Sequence, residues 1–268
     1  MNLETNSHFI AEQEKKEKVI VTGGTEGIGR AIASELAERK HDVVICARTQ
    51  ERLEEIRAEN KIEAIQIDLG DTEKIEDFVR QTSEKMNGVT VLILNAAVPG
   101  IREAEDYTFR VNRDAQKLLV EFVADLLRAS SGRIVFLSSP QAESPVKDNL
   151  AYGQSKKETK NWLKEFSSRE ENKNIHIFSV NPGPVNTRMH DEAINYGGDE
   201  IKKRSIQIKA EGKLRDPQII GRIISKMSIS GNKFSPETNQ YDTPIANNEV
   251  VVISTENIEF EKSEVSKD

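Results

Sequence analysis

The sequence predicts an α/β protein: a single domain on a doubly wound parallel sheet of about seven strands, with helices on both faces. Three observations predict it. Short Val/Ile/Leu runs alternate with longer helical stretches along most of the 268 residues, the pattern of repeated β-α-β units. Most of the apolar runs are uninterrupted, as strands buried on both faces are. A glycine-rich turn, TGGTEGIG (Thr22 to Gly29), follows the first run and opens a helix.

In chain order, KVIV (Lys18 to Val21) begins a strand near 18–22, and the turn follows directly. Ile28, Ile32 and Leu36 at four-residue spacing, with Ala33 and Ala37 beside them, predict a helix near 28–39. Strands are expected near 43–47, 62–68, 90–95, 133–138 and 175–180, and helices near 49–59, 72–86, 105–129 and 151–170. A helix at 216–228 leads into a polar stretch, 228–249, whose turn-forming residues predict a loop. Val250 to Ile253 (VVVI) is the last strand. With no internal repeat and no Pro/Ser/Gly linker, residues 17–254 form one domain. A polar extension (1–16) precedes it, and a charged, mobile tail (255–268) follows.

Composition sets limits on function. The chain is 36% hydrophobic and 31% charged, enough apolar content for a core. A net charge of −7 argues against nucleic acid as a partner, because phosphate binding needs a basic surface. No apolar run reaches the roughly 18 residues of a membrane span, and the first 17 residues lack the apolar centre of a signal peptide. A cytoplasmic protein is expected. The lone cysteine, Cys46, sits in an apolar run and reads as a buried strand residue rather than a nucleophile. No metal site is expected.

Two local patterns carry chemistry. Strand, glycine turn and helix together place an anionic ligand such as a pyrophosphate at free helix N–H groups. Glycine is required there because a Cβ would hold the backbone away from the ligand. The second pattern is Tyr152-x-x-x-Lys156 with Ser139 thirteen residues upstream of the tyrosine. Residues four apart share a helix face, so the Lys156 ammonium can sit beside the Tyr152 phenol. A phenol titrates near ~10; a neighbouring cation favours the phenolate and lowers that value. Such a phenol can exchange a proton with a carbonyl oxygen.

Taken together, these motifs resemble the short-chain dehydrogenase/reductase family, in its standard single-domain subgroup, over roughly residues 17–190. The resemblance implies a Rossmann-type fold and an enzyme that interconverts a ketone or aldehyde and an alcohol with a nicotinamide cofactor. It assigns Gly23, Thr25, Glu26, Gly27, Ile28 and Gly29 of the turn to cofactor binding. Asp68-Leu69 matches the pair that meets the adenine, and Asn95-Ala96-Ala97 the stretch after the fourth strand, with Leu94 and Ala97 departing from the family's Asn and Gly. Pro182-Gly183-Pro184-Val185-x-Thr187 matches the loop that holds the nicotinamide carboxamide. Tyr152 would exchange the proton, and Lys156 would lower its pKa and hold the nicotinamide ribose. Ser139 would hydrogen-bond the carbonyl, and Asn112 would keep a water in a proton relay reaching Lys156. The same fold also serves redox-sensing regulators that bind dinucleotides without catalysis, a reading that the intact reactive set disfavours.

Arg48 follows the second strand, 19 residues beyond Gly29, where an acid would bind a ribose hydroxyl and a guanidinium a 2′-phosphate. The family's usual acid position is Ala47. NADP(H) is therefore favoured and NAD(H) remains possible. Glu26 opposes that preference unless it turns to solvent or pairs with Arg48.

Two departures from the family limit the resemblance. Only Ser230-Gly231 stands where relatives carry a Thr-Gly turn, so the substrate end is not readable by analogy. Lys157, Glu158, Lys160 and Asn161 occupy a helix that relatives often pack into a dimer interface. Buried unpaired charge is costly, so a monomer or weak homodimer is expected, with a small carbonyl or alcohol substrate as its main partner. Residues 186–215 are expected to form a lid that orders on ligand binding. Met189, Ile194 and Tyr196 supply its apolar residues, and Lys202, Lys203, Arg204, Lys209, Lys213 and Arg215 a basic stretch. That stretch is more simply a solvated face. His190 has no base to pair with and is left outside the catalytic set.

Overall fold

Alternate residues of the first strand face opposite sides of the sheet, and both sides are apolar. Ile20 packs into one core with Val44, Leu92 and Ile134, while Val19 and Val21 pack into the other with Val43, Ile45 and Val91. That two-sided burial explains why the strands read as unbroken apolar runs. The computed structural model describes residues 15–60 and 62–267. The expected extension, 1–16, lies outside the described residues apart from Lys15 and Lys16.

The sheet comprises β1 (Lys18–Thr22), β2 (Asp42–Ala47), β3 (Glu63–Gln66), β4 (Val91–Leu94), β5 (Arg133–Leu137), β6 (His176–Asn181) and, as the last of its seven strands, Val250–Val252. A separate hairpin pairs β7 (Asn232–Ser235) with β8 (Gln240–Pro244), which makes Val250–Val252 strand β9. The sheet order is β3-β2-β1-β4-β5-β6-β9, every neighbouring pair parallel. The order reverses between β1 and β4. Ligands of such sheets bind outside the strand C-termini at that reversal.

The helices are α1 (Gly27–Glu38), α2 (Gln50–Asn60), α3 (Ile75–Met86), α4 (Glu105–Phe109), α5 (Ala115–Ser130), α6 (Leu150–Ser168), α7 (Arg188–Tyr196), α8 (Asp199–Ala210), α9 (Pro217–Ser230) and α10 (Thr255–Val265). The single helix expected at 105–129 is α4 and α5 joined by a π-helical turn, Arg110–Asp114. Such turns recur at functional sites. The 186–215 segment folds as α7 and α8.

Two expectations from the sequence are corrected. The stretch 228–249 is not a loop throughout; it contains the β7–β8 hairpin. Residues 255–265 are not a mobile tail but a helix. Ser254 and Asn257 form a reciprocal capping box at its start, which satisfies two otherwise unpaired N–H groups. Phe260 stacks 4.4 Å from Phe234 of the hairpin. The buried Glu261 carboxylate meets Lys226 of α9 at 3.0 Å. The sequence signal was thin because a few apolar residues carry the packing of a mostly charged helix.

Candidate active site

Thr22 ends β1 and laces it to β4. Its hydroxyl accepts from the Asn95 N–H at 3.0 Å and the Ala96 N–H at 2.9 Å. In return Asn95 Nδ2 donates to the Thr22 carbonyl at 2.8 Å. This clasp holds the glycine turn at the sheet reversal. Gly23 has φ +67° and Gly27 φ +56°, a left-handed conformation that costs other residues about 1–2 kcal/mol. A Cβ on Gly23 would lie 3.0 Å from the Ala96 backbone, and one on Gly27 would lie 3.1 Å from the Thr187 side chain. Helix α1 starts at Gly27, so its free N–H groups lie at the turn. Gly29 stands apart from the cleft: its Cβ would meet the Gly23 carbonyl, so it serves the packing of turn on helix.

A cleft of about 420 Å³ runs along the strand ends from this turn. Thr25, Glu26, Gly27 and Ile28 line it on one side, and Asn95 and Ala96 form its floor. At one end stand Arg48, Arg52, Asp68, Leu69 and Tyr107. Asp68 Oδ1 accepts from the Gly70 N–H and from the Tyr107 hydroxyl, both at 2.8 Å. Arg48 Nη1 donates to the same hydroxyl at 2.9 Å. Tyr107 thus orients both residues that the sequence had singled out, and burial together with Asp68 raises its pKa. Sequence reasoning missed it; a lone tyrosine in the charged stretch 102–110 was the only signal. Glu26 does not pair with Arg48. Its carboxylate instead meets Arg52 of α2, with Arg188 of α7 at 3.8 Å. Cys46 is buried, and its thiol is pushed up to about 12 by desolvation, which leaves it unreactive.

The opposite end holds Ser139, Tyr152 and Lys156, all in the cleft wall. Ser139 follows β5, while Tyr152 and Lys156 are one turn apart on α6. The Ser139 hydroxyl hydrogen-bonds the Tyr152 phenol and favours its ionised form. Burial nonetheless raises the phenol's pKa overall. Lys156 is 2% exposed, and desolvation pulls its ammonium down to about 7. Its Nζ lies 5.9 Å from the Tyr152 ring centre and donates to the Leu137 carbonyl at 2.8 Å. The expected downward tuning of the phenol by this ammonium is therefore not met; Ser139 is the group that opposes burial. Asn112 lies outside the cleft wall, in the π-helical turn, and is fully buried. Its side chain is spent on both backbone groups of Val98, at 2.8 and 2.9 Å. Only its carbonyl faces α6, where it accepts from Thr159 Oγ1 at 3.0 Å.

Pro182, Gly183, Val185 and Thr187 close the cleft after β6. Arg215 fastens this loop. It donates to the Pro182 and Ile253 carbonyls, each at 2.9 Å, so it is a clamp rather than a member of a solvated basic face. Met189, Ala193, Ile201, Arg204 and Ile208 of α7 and α8 also wall the cleft, with His190 beside them. The α8 N-terminus is capped from the segment that precedes α6: Asp148, four residues before Tyr152, accepts from the Glu200 N–H at 2.8 Å. Among the described residues no cluster of His, Cys, Asp and Glu could hold a metal ion, and no helix is long and apolar enough to cross a membrane.

The cleft fits a dinucleotide: a glycine cradle that a Cβ would fill, a helix start, arginines at one end and a tyrosine–lysine pair at the other. Residues 17–195 match the family model described as short chain dehydrogenase, and the chain belongs to that family. It is an NAD(P)-dependent dehydrogenase or reductase. Retinol dehydrogenase 13 of Mus musculus is 30% identical over 197 residues, 64% of this chain and 59% of the mouse protein. The 11-beta-hydroxysteroid dehydrogenase A of Sesamum indicum is 26% identical over 85% of this chain and 70% of its own length. The crystal structure of the KRED1-Pglu enzyme superposes with a TM-score of 0.75 at 23% identity, covering 87% of this chain and 99% of that one.

Proposed function

We propose that this chain is an NADP(H)-dependent oxidoreductase that interconverts a ketone or aldehyde and an alcohol, with Tyr152 as the proton donor and acceptor. The observation that carries this reading is the convergence of Ser139, Tyr152 and Lys156 at one end of a cleft whose other end holds the glycine turn and Arg48. A bound nicotinamide supplies the hydride chemistry. The chain supplies alignment and a proton. The turn (Gly23, Thr25, Glu26, Gly27 and Ile28) would hold the pyrophosphate region, and Asp68 and Leu69 the adenine end. Asn95, Ala96 and the loop of Pro182, Gly183, Val185 and Thr187 would border the nicotinamide half. Ser139 would hydrogen-bond the substrate oxygen and steady the phenol. Lys156 would contact the nicotinamide ribose and supply positive charge near the phenolate. Gly29 and Asn112 serve the site from behind, through packing of the turn and of the 98 loop. Arg48 favours a 2′-phosphate because its guanidinium fork matches phosphate oxygens. The protein would act in the cytoplasm as a monomer or weak dimer.

The test is a panel of ketones and aldehydes followed by NADPH and by NADH consumption, with Tyr152→Phe as the control. Loss of a general acid lowers turnover by about 10²–10⁴-fold, and the variant should keep its fold because the ring stays. Equal turnover in the variant would remove Tyr152 from the mechanism. A tenfold or larger preference for NADH, about 1.4 kcal/mol, would overturn the NADP(H) assignment.

A further inference from the structure

Glu26 occupies an unexpected place for a carboxylate. It projects from the glycine turn at the mouth of a cleft fitted to an anionic ligand, and its carboxylate meets two cations of that same wall. Its Oε2 meets Arg52 from the first turn of α2, and Arg188 from the first turn of α7 lies 3.8 Å away. All three residues line the cleft, as does Arg48. The turn and the start of the α7 segment also approach one another directly, since a Cβ on Gly27 would touch Thr187 at 3.1 Å. Three elements that border the nucleotide end are therefore tied together by one carboxylate.

A carboxylate and a phosphate compete for guanidinium on equal geometric terms, because both offer paired oxygens to the same fork of donors. The two anions also repel each other when close. Glu26 and a ribose 2′-phosphate therefore cannot both hold Arg52 at full strength.

We propose that Glu26 is an internal stand-in for the 2′-phosphate: it occupies Arg52 and straps the turn to α2 and α7 until a phosphorylated ribose displaces it. The proposal rests on the NADP(H) reading above and adds a specificity residue that works against the preferred nucleotide. The pairs are partly exposed, with side chains 35% and 49% accessible for Arg52 and Glu26. Each such contact is modest, of the size a strap needs if the ligand is to open it.

The experiment is calorimetric titration of the full chain with 2′,5′-ADP and with 5′-ADP at low salt, for the native protein, Glu26→Gln, Arg52→Gln and the double variant. Glu26→Gln should tighten 2′,5′-ADP by about three- to tenfold more than it tightens 5′-ADP. That gain should vanish in the Arg52→Gln background, which separates displacement from simple repulsion. No gain in Glu26→Gln, or a gain that survives Arg52→Gln, overturns the strap while leaving the nucleotide reading intact. Weaker 5′-ADP binding by Glu26→Gln would make Glu26 a ribose ligand and also overturn it. Equal binding of both nucleotides by all four proteins would overturn the NADP(H) reading itself, and the strap with it.

Discussion

Lys156 is a buried cation kept at a cost in stability, and Lys156→Met measures that cost. Its ammonium titrates at 10.5 in the unfolded chain and at about 7 in the folded protein. Between those values the unfolded state binds the extra proton, so this residue makes stability rise with pH. The full penalty falls below pH 7, where both states are protonated. From 10.5 to about 7 is some three and a half pH units, or roughly 5 kcal/mol at 1.36 kcal/mol per unit. Linkage over the interval from pH 6 to pH 9 recovers roughly 3 kcal/mol of it. Methionine fills a similar volume with no charge. It forfeits the 2.8 Å bond to the Leu137 carbonyl, a loss of about 1 kcal/mol that does not vary with pH. The variant should therefore be the more stable protein at pH 6, with the advantage shrinking by roughly 3 kcal/mol at pH 9. Urea denaturation of both proteins at the two pH values checks this, since every other titrating group cancels in the difference. Carbonyl turnover should fall in the same variant if the desolvated Lys156 plays the role proposed above, stability being traded for activity. A stability gap that stays flat from pH 6 to pH 9 would refute the reasoning, because Lys156 would then keep an ordinary pKa.

Three further outcomes follow from packing. Lys226→Met leaves the fully buried Glu261 carboxylate without its cation and should cost about 3–5 kcal/mol; an unchanged Tm would show that α10 does not rest on this pair. Asp148→Ala removes the cap on the α8 N–H groups, a loss of about 1 kcal/mol. It should speed proteolysis within 199–210 about fivefold, with Asp148→Asn largely protected, and equal rates in all three proteins would dismiss the cap. The polar face of α6 is already satisfied within one chain, since Glu158 meets Arg113 at 2.9 Å and Lys160 meets Glu143. Light scattering at micromolar concentration should accordingly report a monomer or a weakly associating dimer, and a stable tetramer would contradict this.

The sheet was legible because its central strands are buried on both faces. A run such as VLIL (Val91–Leu94) has no second reading once helices flank it. The hairpin and α10 were not, because Phe234, Tyr241 and Phe260 hold them together across sequence gaps that no local pattern reveals. The site followed the same division. Residues fixed by a turn or by helix spacing, Gly27 and the Tyr152–Lys156 pair, could be placed from the chain alone. Partners chosen in three dimensions could not: Tyr107 for Asp68 and Arg48, Arg52 for Glu26, and Arg215 for the Pro182 loop.

The electrostatic expectation at Tyr152 fell short for a related reason. Spacing places the cation near the phenol but is silent on solvent, and burial dominates both groups. Burial moves them apart, raising the phenol and pulling the ammonium to about 7. The lysine is thus the stronger acid of the two. In the proposed reduction, a phenol that has given its proton to the substrate oxygen becomes a phenolate beside a group more willing to release a proton than the phenol was. Return of a proton from Lys156 to that phenolate is then downhill. Desolvation, which frustrates the simple picture of a cation lowering a phenol, thereby favours a reprotonated phenol over a phenolate beside a charged lysine.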